Sequence, residues 1–142
     1  MQISELMTQE VGVIAPEATI QEAAQRMQAC NIRALPVGER DALVGILTDR
    51  DLVTRAITEG RDPKTTCVRE VMTPDLVTCF ADQEITVATQ LMHERHIQQL
   101  VVLSRDHRLV GIIALRDVPT PITVESLTGT ALRSSTAIRW PI

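Results

Sequence analysis

The sequence predicts a small α/β (α+β) domain assembled from two copies of one unit. Three observations lead there. First, the chain repeats itself. A shift of 65 places carries Met7-Thr8 onto Met72-Thr73, and Ile20, Ala23, Gln25 and Met27 onto Ile85, Ala88, Gln90 and Met92. Ile32, Leu35 and Val37 fall on Ile97, Leu100 and Val102, and Arg40-Asp41 falls on Arg105-Asp106. One extra residue near His107 then brings Gly45 onto Gly111. Second, each copy reads in the order strand, helix, strand, strand, helix. Third, 142 residues at 44% apolar content suit one domain with an ordered core. A unit of about 50 to 60 residues is marginal alone. The two copies are therefore expected to pack about a pseudo-two-fold axis, with paired grooves between them.

The elements follow in order. Residues 2–8 form a short lead-in, and Val11 to Ile14 a short strand or extended arm that Pro16 breaks. Thr19 caps a helix, with Glu22 three places on as in a capping box. Its inward stripe is Ile20, Ala23, Ala24 and Met27, with Cys30 placed in the core. Asn31 ends it. Ala34 to Val37 is a strand, and its Pro36 favours an edge or first position. Gly38 to Ala42 is a hairpin-like turn. Leu43 to Leu47 reads as a buried strand, and Gly45 inside it permits close backbone approach. Thr48 starts a helix to about Glu59, with Leu52, Val53, Ala56 and Ile57 inward and Gly60 as the stop.

Arg61 to Thr66 is the linker. Val68 to Met72 opens the second unit, and Leu76 to Cys79 repeats the short strand. Asp82 caps a helix that faces inward through Ile85, Ala88, Leu91 and Met92. Leu100 to Leu103 and Leu109 to Ala114 are the last strands, and Pro119 with Pro121 cuts the final helix short. The resulting bounds are 3–60 for the first unit, 61–67 for the linker and 68–119 for the second unit. Residues 120–142 form a Ser- and Thr-rich tail outside the repeat, either disordered or docked as an arm through Leu127, Leu132, Ile138 and Trp140.

Composition narrows the function. The net charge is −4, from 14 basic and 18 acidic residues, which is not a nucleic-acid footprint. One Phe, one Trp and no Tyr rule out an aromatic cage. Three cysteines without metal-ligand spacing read as reduced thiols. There is no signal-peptide pattern and no membrane-length apolar run, so a soluble cytoplasmic protein without membrane contact is expected. His93, His96 and His107 lack ligand partners at convincing spacing, so no metal is expected. No nucleophile, base and acid line up, and the glycines fit neither a Walker loop nor a dinucleotide fingerprint, so catalysis is not expected.

The chemistry concentrates at the strand-to-helix junction Gly45-Ile46-Leu47-Thr48-Asp49-Arg50-Asp51. Thr48 and Asp51 form a plain capping box worth about 1 kcal/mol. They also present a hydroxyl and a carboxylate able to meet the vicinal hydroxyls of a ribose through charge-assisted bonds. A helix N-terminus offers N–H groups to a phosphate, and Arg33 offers a fork of donors. Arg50 faces the cleft or solvent.

Two stretches, Ile32-Arg33-Ala34-Leu35-Pro36-Val37 and Gly45 to Leu52, recur as Ile97-Gln98-Gln99-Leu100-Val101-Val102 and Gly111 to Asp117. In that order and spacing, over roughly residues 3–119, the chain resembles the cystathionine-beta-synthase (CBS) domain pair, or Bateman module. Its stand-alone form is similar to hypoxic response proteins. The resemblance implies a regulatory, non-enzymatic module with no catalytic cofactor. The implied ligand is an adenine nucleotide or relative: AMP, ADP, ATP or S-adenosylmethionine. Thr48 and Asp51 would contact ribose. Ile32, Arg33, Ile97 and Gln98 would line two clefts, and Ile46 and Ile112 would sit beside the base. A homodimer associated through helical faces, an unknown regulated protein and a role in signalling or stress response are also implied.

The second junction is poorer: Ala114 has lost the hydroxyl, Gln98 stands where Arg33 stood, and Asp117 survives. One competent and one weak site are expected. The competing expectation is a structural or protein-interaction module that binds no nucleotide.

Overall fold

The computed structural model describes residues 1–119. The sequence reading of a tail over 120–142 lies outside the described residues. A 3-10 turn, Ile3–Glu5, leads to β1 (Thr8–Gln9), α1 (Ile20–Cys30), β2 (Ala34–Glu39), β3 (Ala42–Thr48) and α2 (Asp49–Asp51). α2 runs on as a π-helix, Leu52–Ile57. The second unit brings α3 (Val68–Val71), β4 (Thr78–Phe80), α4 (Ile85–Arg95), β5 (Gln99–Leu103), β6 (Leu109–Ala114) and a 3-10 turn, Leu115–Asp117.

The two sheets are the same device at different completeness. One has the order β1-β6-β5-β4, and the other is the hairpin β2-β3. β1 pairs with β6 through Thr8 and Ile112, and Thr73 bridges Ile46 in the same antiparallel sense. β4 runs parallel to β5 through Cys79 and Val102, and Ile14 bridges Val37 in parallel. The expected Val11–Ile14 strand is thus a single bridge. Pro36 sits inside β2 without cost, since its carbonyl takes the Ile14 N–H while its missing N–H faces a stretch that forms no ladder. The β2-β3 hairpin turns on Arg40 and Asp41, both at positive φ, as a two-residue hairpin of this twist requires.

The pairings show that the units exchange their lead-ins. Ile3 and Ser4 donate to the carbonyls of Gln83 and Ala81, and Val68 and Arg69 donate to those of Ala18 and Pro16. Ile3 is fully buried in the second unit's core with Met92, Leu100 and Ile113. Val68 and Val71 are buried in the first unit's core with Leu35, Val37 and Leu47. Each such side chain contributes roughly 2 kcal/mol by leaving water. Neither unit closes its core alone.

The glycines of the repeat permit this exchange. A Cβ on Gly45 would meet the Thr73 carbonyl at 2.7 Å, and one on Gly111 would meet that of Thr8 at 2.6 Å. Met72 and Met7 sulfurs fill the space beside them.

Local signals place several ends correctly. Thr19 Oγ1 accepts from the Glu22 N–H at 3.1 Å, and Asn31 closes α1 with φ 54°. Gly60 has φ 69°. Other expectations are corrected. Val53 and Ile57 are 51% and 70% exposed rather than inward. The wider winding, with Thr58 N–H donating to Val53 O and Arg61 N–H to Ala56 O, leaves Leu52 and Ala56 facing the core and turns the other two out. Asp82 does not cap α4: Glu84 holds that position, and Asp82 pairs with Arg105 at 2.9 Å. That guanidinium holds the Asp82 carboxyl below its ordinary range. Cys30 is exposed, and Met27 is the last buried residue of α1. The final helix is only the 3-10 turn at Leu115.

Candidate nucleotide-binding clefts

β3 delivers Thr48 to the start of α2. Thr48 Oγ1 accepts from the Asp51 N–H at 3.1 Å, and Asp51 Oδ2 accepts from the Thr48 N–H at 3.0 Å. The box holds the Asp51 carboxylate in place, only 8% exposed. Its remaining partners are distant. The Thr73 hydroxyl reaches the two oxygens at 3.3 and 3.4 Å, and Arg55 Nε lies 4.0 Å from Oδ1. A carboxylate offers about four acceptor sites, so Asp51 keeps room for stronger donors. Arg55 is itself occupied, donating to the carbonyls of Val71 and Met72.

Asp51 faces a cavity of about 320 Å³ between the units. The first unit lines it with Arg33, Ile46, Thr48 and Arg50, and the second with His96, Ile97, Gln98 and Gln99. The second unit's stretch between α3 and β4 adds Thr73, Asp75 and Val77. This volume lies at the lower end of the small-molecule range of about 300–1,000 Å³.

A second cleft of about 120 Å³ is lined by Thr8, Cys30, Ile32, Arg33, Ile112, Ala114, Arg116 and Asp117. Asp117 Oδ2 accepts from the Ala114 N–H at 3.1 Å, so half of the box persists without a hydroxyl. A larger cavity of about 830 Å³ opens between the two hairpin tips, but no buried polar group faces it.

The structure therefore divides the sequence-picked residues. Arg33, Ile46, Thr48, Asp51, Ile97 and Gln98 share the first cleft, while Ile32, Ile112 and Asp117 share the second. Gln98 does not replace a basic residue in the second cleft, as the repeat suggested. The units cross, so Gln98 faces the Thr48–Asp51 junction, while Arg33 reaches both clefts and Arg116 joins the second. The helix start is also less open than expected. The Asp49 N–H is taken by Arg33 O at 3.0 Å and the Asp51 N–H by Thr48, so most of the donors to a phosphate would come from side chains.

Thr73 was missed as a site residue. Its signal was present in the Met-Thr pair that recurs at positions 7–8 and 72–73. His96, which ends α4 at φ 56°, and Arg50 both line the first cleft.

The CBS domain model matches residues 3–57 and 68–118. The chain belongs to the CBS domain family. The CBS domain-containing protein YhcV of Bacillus subtilis is 38% identical over 130 residues, covering 92% of this chain and 91% of that protein. A solved structure of hypoxic response protein I, with two coordinated zinc ions, is 32% identical, covers 84% of this chain and 100% of the other, and superimposes with a TM-score of 0.70. A hexameric CBS-CP12 protein from bloom-forming cyanobacteria is 29% identical over 97% of this chain and 86% of its own, with a TM-score of 0.76. Stand-alone CBS proteins are generally regulatory rather than catalytic, and members assemble into oligomers. Among the described residues no cluster of three or more His, Cys, Asp or Glu is placed to hold a metal ion. Among them, too, no helix is long and apolar enough to cross a membrane.

Proposed function

We propose that this CBS pair is a stand-alone regulatory module that binds an adenosine-containing ligand in the first cleft. The observation that carries the reading is the buried Asp51 carboxylate, fixed by Thr48 and facing the inter-unit cavity with acceptor capacity to spare. A ribose diol supplies the two donors it lacks. Ile46, Ile97 and Val101 give the base aliphatic walls, and Arg33, Arg50 and His96 give the phosphate its donors. Asp49, Asp51 and Asp75 in the same lining oppose a large anionic charge, and the volume is small. Both favour AMP over ADP or ATP, with S-adenosylmethionine as the cationic alternative. The units 3–60 and 68–119 act as one body joined by 61–67. A second copy would cover the exposed Val53 and Ile57 in a two-fold homodimer. The module would serve a signalling or stress response in the cytoplasm by acting on a regulated protein.

Calorimetric titration of ligand-free protein with AMP, ADP, ATP and S-adenosylmethionine tests this. Asp51→Ala should weaken AMP by roughly 10- to 100-fold, the worth of a charge-assisted bond. Asp117→Ala should weaken it less, and equal losses would overturn the assignment of the first cleft. A wild-type protein that is folded, ligand-free and inert to all four ligands would favour the structural or interaction reading, which Ala114 and the small second cleft support.

A further inference from the structure

Arg33 lies at the boundary of the two clefts and belongs to the lining of both. Its backbone is fixed, since its carbonyl accepts from the Asp49 N–H at 3.0 Å and the next residue, Ala34, opens β2 fully packed. Its side chain is exposed and, among the described residues, forms no ion pair. The other cleft arginines are dedicated: Arg50 lines only the first and Arg116 only the second. Gln98, at the matching place in the second unit, lines the first cleft and not the second. One guanidinium is therefore available to two sites.

A guanidinium holds a phosphate best through two parallel N–H bonds from one fork to one anion. We propose that the two clefts compete for Arg33, so that a phosphate gripped in one withdraws it from the other and phosphorylated ligands bind anti-cooperatively. This rests on the nucleotide reading above and adds regulation to it. Coupling of this kind is reciprocal: whichever cleft fills first weakens the other by the same factor. It is also specific to the phosphate. Adenosine, which makes the ribose and base contacts but has no anion, leaves Arg33 free.

Calorimetry of the full chain with AMP and with adenosine tests this, using wild type, Asp51→Ala, Asp117→Ala and Arg33→Gln. Asp117→Ala weakens the second cleft and so reports chiefly the first, and Asp51→Ala weakens the first and reports chiefly the second. Sharing predicts that the second AMP equivalent on wild type binds at least about tenfold more weakly than the weaker single-cleft constant. Adenosine should give the plain sum of two independent isotherms. In Arg33→Gln both clefts should weaken for AMP and the coupling should disappear. A coupling that grows in Arg33→Gln would mean direct repulsion between phosphates, and overturns sharing. So does a wild-type AMP isotherm equal to the sum of the single-cleft ones, or an Asp51→Ala protein that binds no AMP in the second cleft. If neither AMP nor adenosine binds any of the four proteins, the nucleotide reading itself fails, and the coupling with it.

Discussion

In the first cleft Asp51 engages two hydroxyls: its N–H donates to Thr48 Oγ1, and its carboxylate accepts from Thr73. In the second, Asp117 accepts only from the backbone N–H of Ala114 among the described residues. The scaffolds beneath them differ far less. Gly45 and Gly111 face the same carbonyl contacts, the lead-ins cross in the same register, and the strand irregularity falls after Val37 and after Val102. The repeat preserves what the fold requires in both places and varies the groups that a ligand would touch.

The shared layer should respond symmetrically. Gly45→Ala and Gly111→Ala each push a Cβ to within 3 Å of a backbone carbonyl, which cannot yield as a side-chain end would. Overpacking of this kind costs about 2 kcal/mol, read as a shift in urea midpoint at constant m. Losses that differ severalfold would break the equivalence of the two crossings.

The cores differ in chemistry most at one matched pair, where a thiol stands for an aliphatic side chain. Ile14 is buried in the first and Cys79 in the second, at 2% and 3% exposure. Burial pushes the Cys79 thiol up to about 11 from an ordinary value of 9.0. The folded state thus keeps a proton that the unfolded chain releases. Stability from this group is fully present below about pH 9 and falls as pH rises through about 11, by on the order of 2 kcal/mol. Urea unfolding between pH 8 and 11 should show wild type losing this much relative to Cys79→Val. Parallel curves for the two proteins would remove the thiol as the cause.

The variable layer should be transferable. Ala114→Thr restores the missing half of the second capping box and should add about 1 kcal/mol, while Thr48→Ala should remove about as much. Thermal unfolding of both variants checks the pair. A neutral Ala114→Thr would mean that the three-residue 3-10 turn at Leu115–Asp117 is too short to benefit from its cap.

Much of this was legible in the sequence, for local reasons. Thr48, Asp51 and Asn31 act on their own helix ends, and the sequence spacing that reveals them is the spacing at which they act. Gly45 and Gly111 could be picked out, but not the carbonyls they admit. The rest depends on crossing. Ile3 lies in the core of the other unit, and Gln98 faces the other unit's Thr48, so alignment of the copies misassigned the basic residue of the second cleft. Val53 and Ile57 were misread because apolar periodicity assumes α-helical winding, and the chain there closes i to i+5 bonds. Cys30 continues an apolar stripe past the point where α1 has a core to face.

Thr73 supplies the finest test of the contrast between clefts. Its backbone bridges Ile46 in both directions at 2.9 Å, so the residue cannot move away from the site. Its hydroxyl donates to Asp51 only at 3.3 to 3.4 Å, shared between two oxygens, which is long for an O–H donor. A ribose hydroxyl at ordinary length would displace it. Thr73→Val keeps the shape and removes the competitor, so AMP should bind roughly two- to fivefold more tightly, a fraction of one hydrogen bond's net worth. Thr73→Ser should match wild type. Thr8, at the corresponding place in the second cleft, makes no such bond, and Thr8→Val should leave affinity unchanged. Weaker binding in Thr73→Val that Thr73→Ser rescues would reverse the role: the hydroxyl would then stay on Asp51 and bond the ligand as well, making Thr73 part of the recognition set and not a latch upon it.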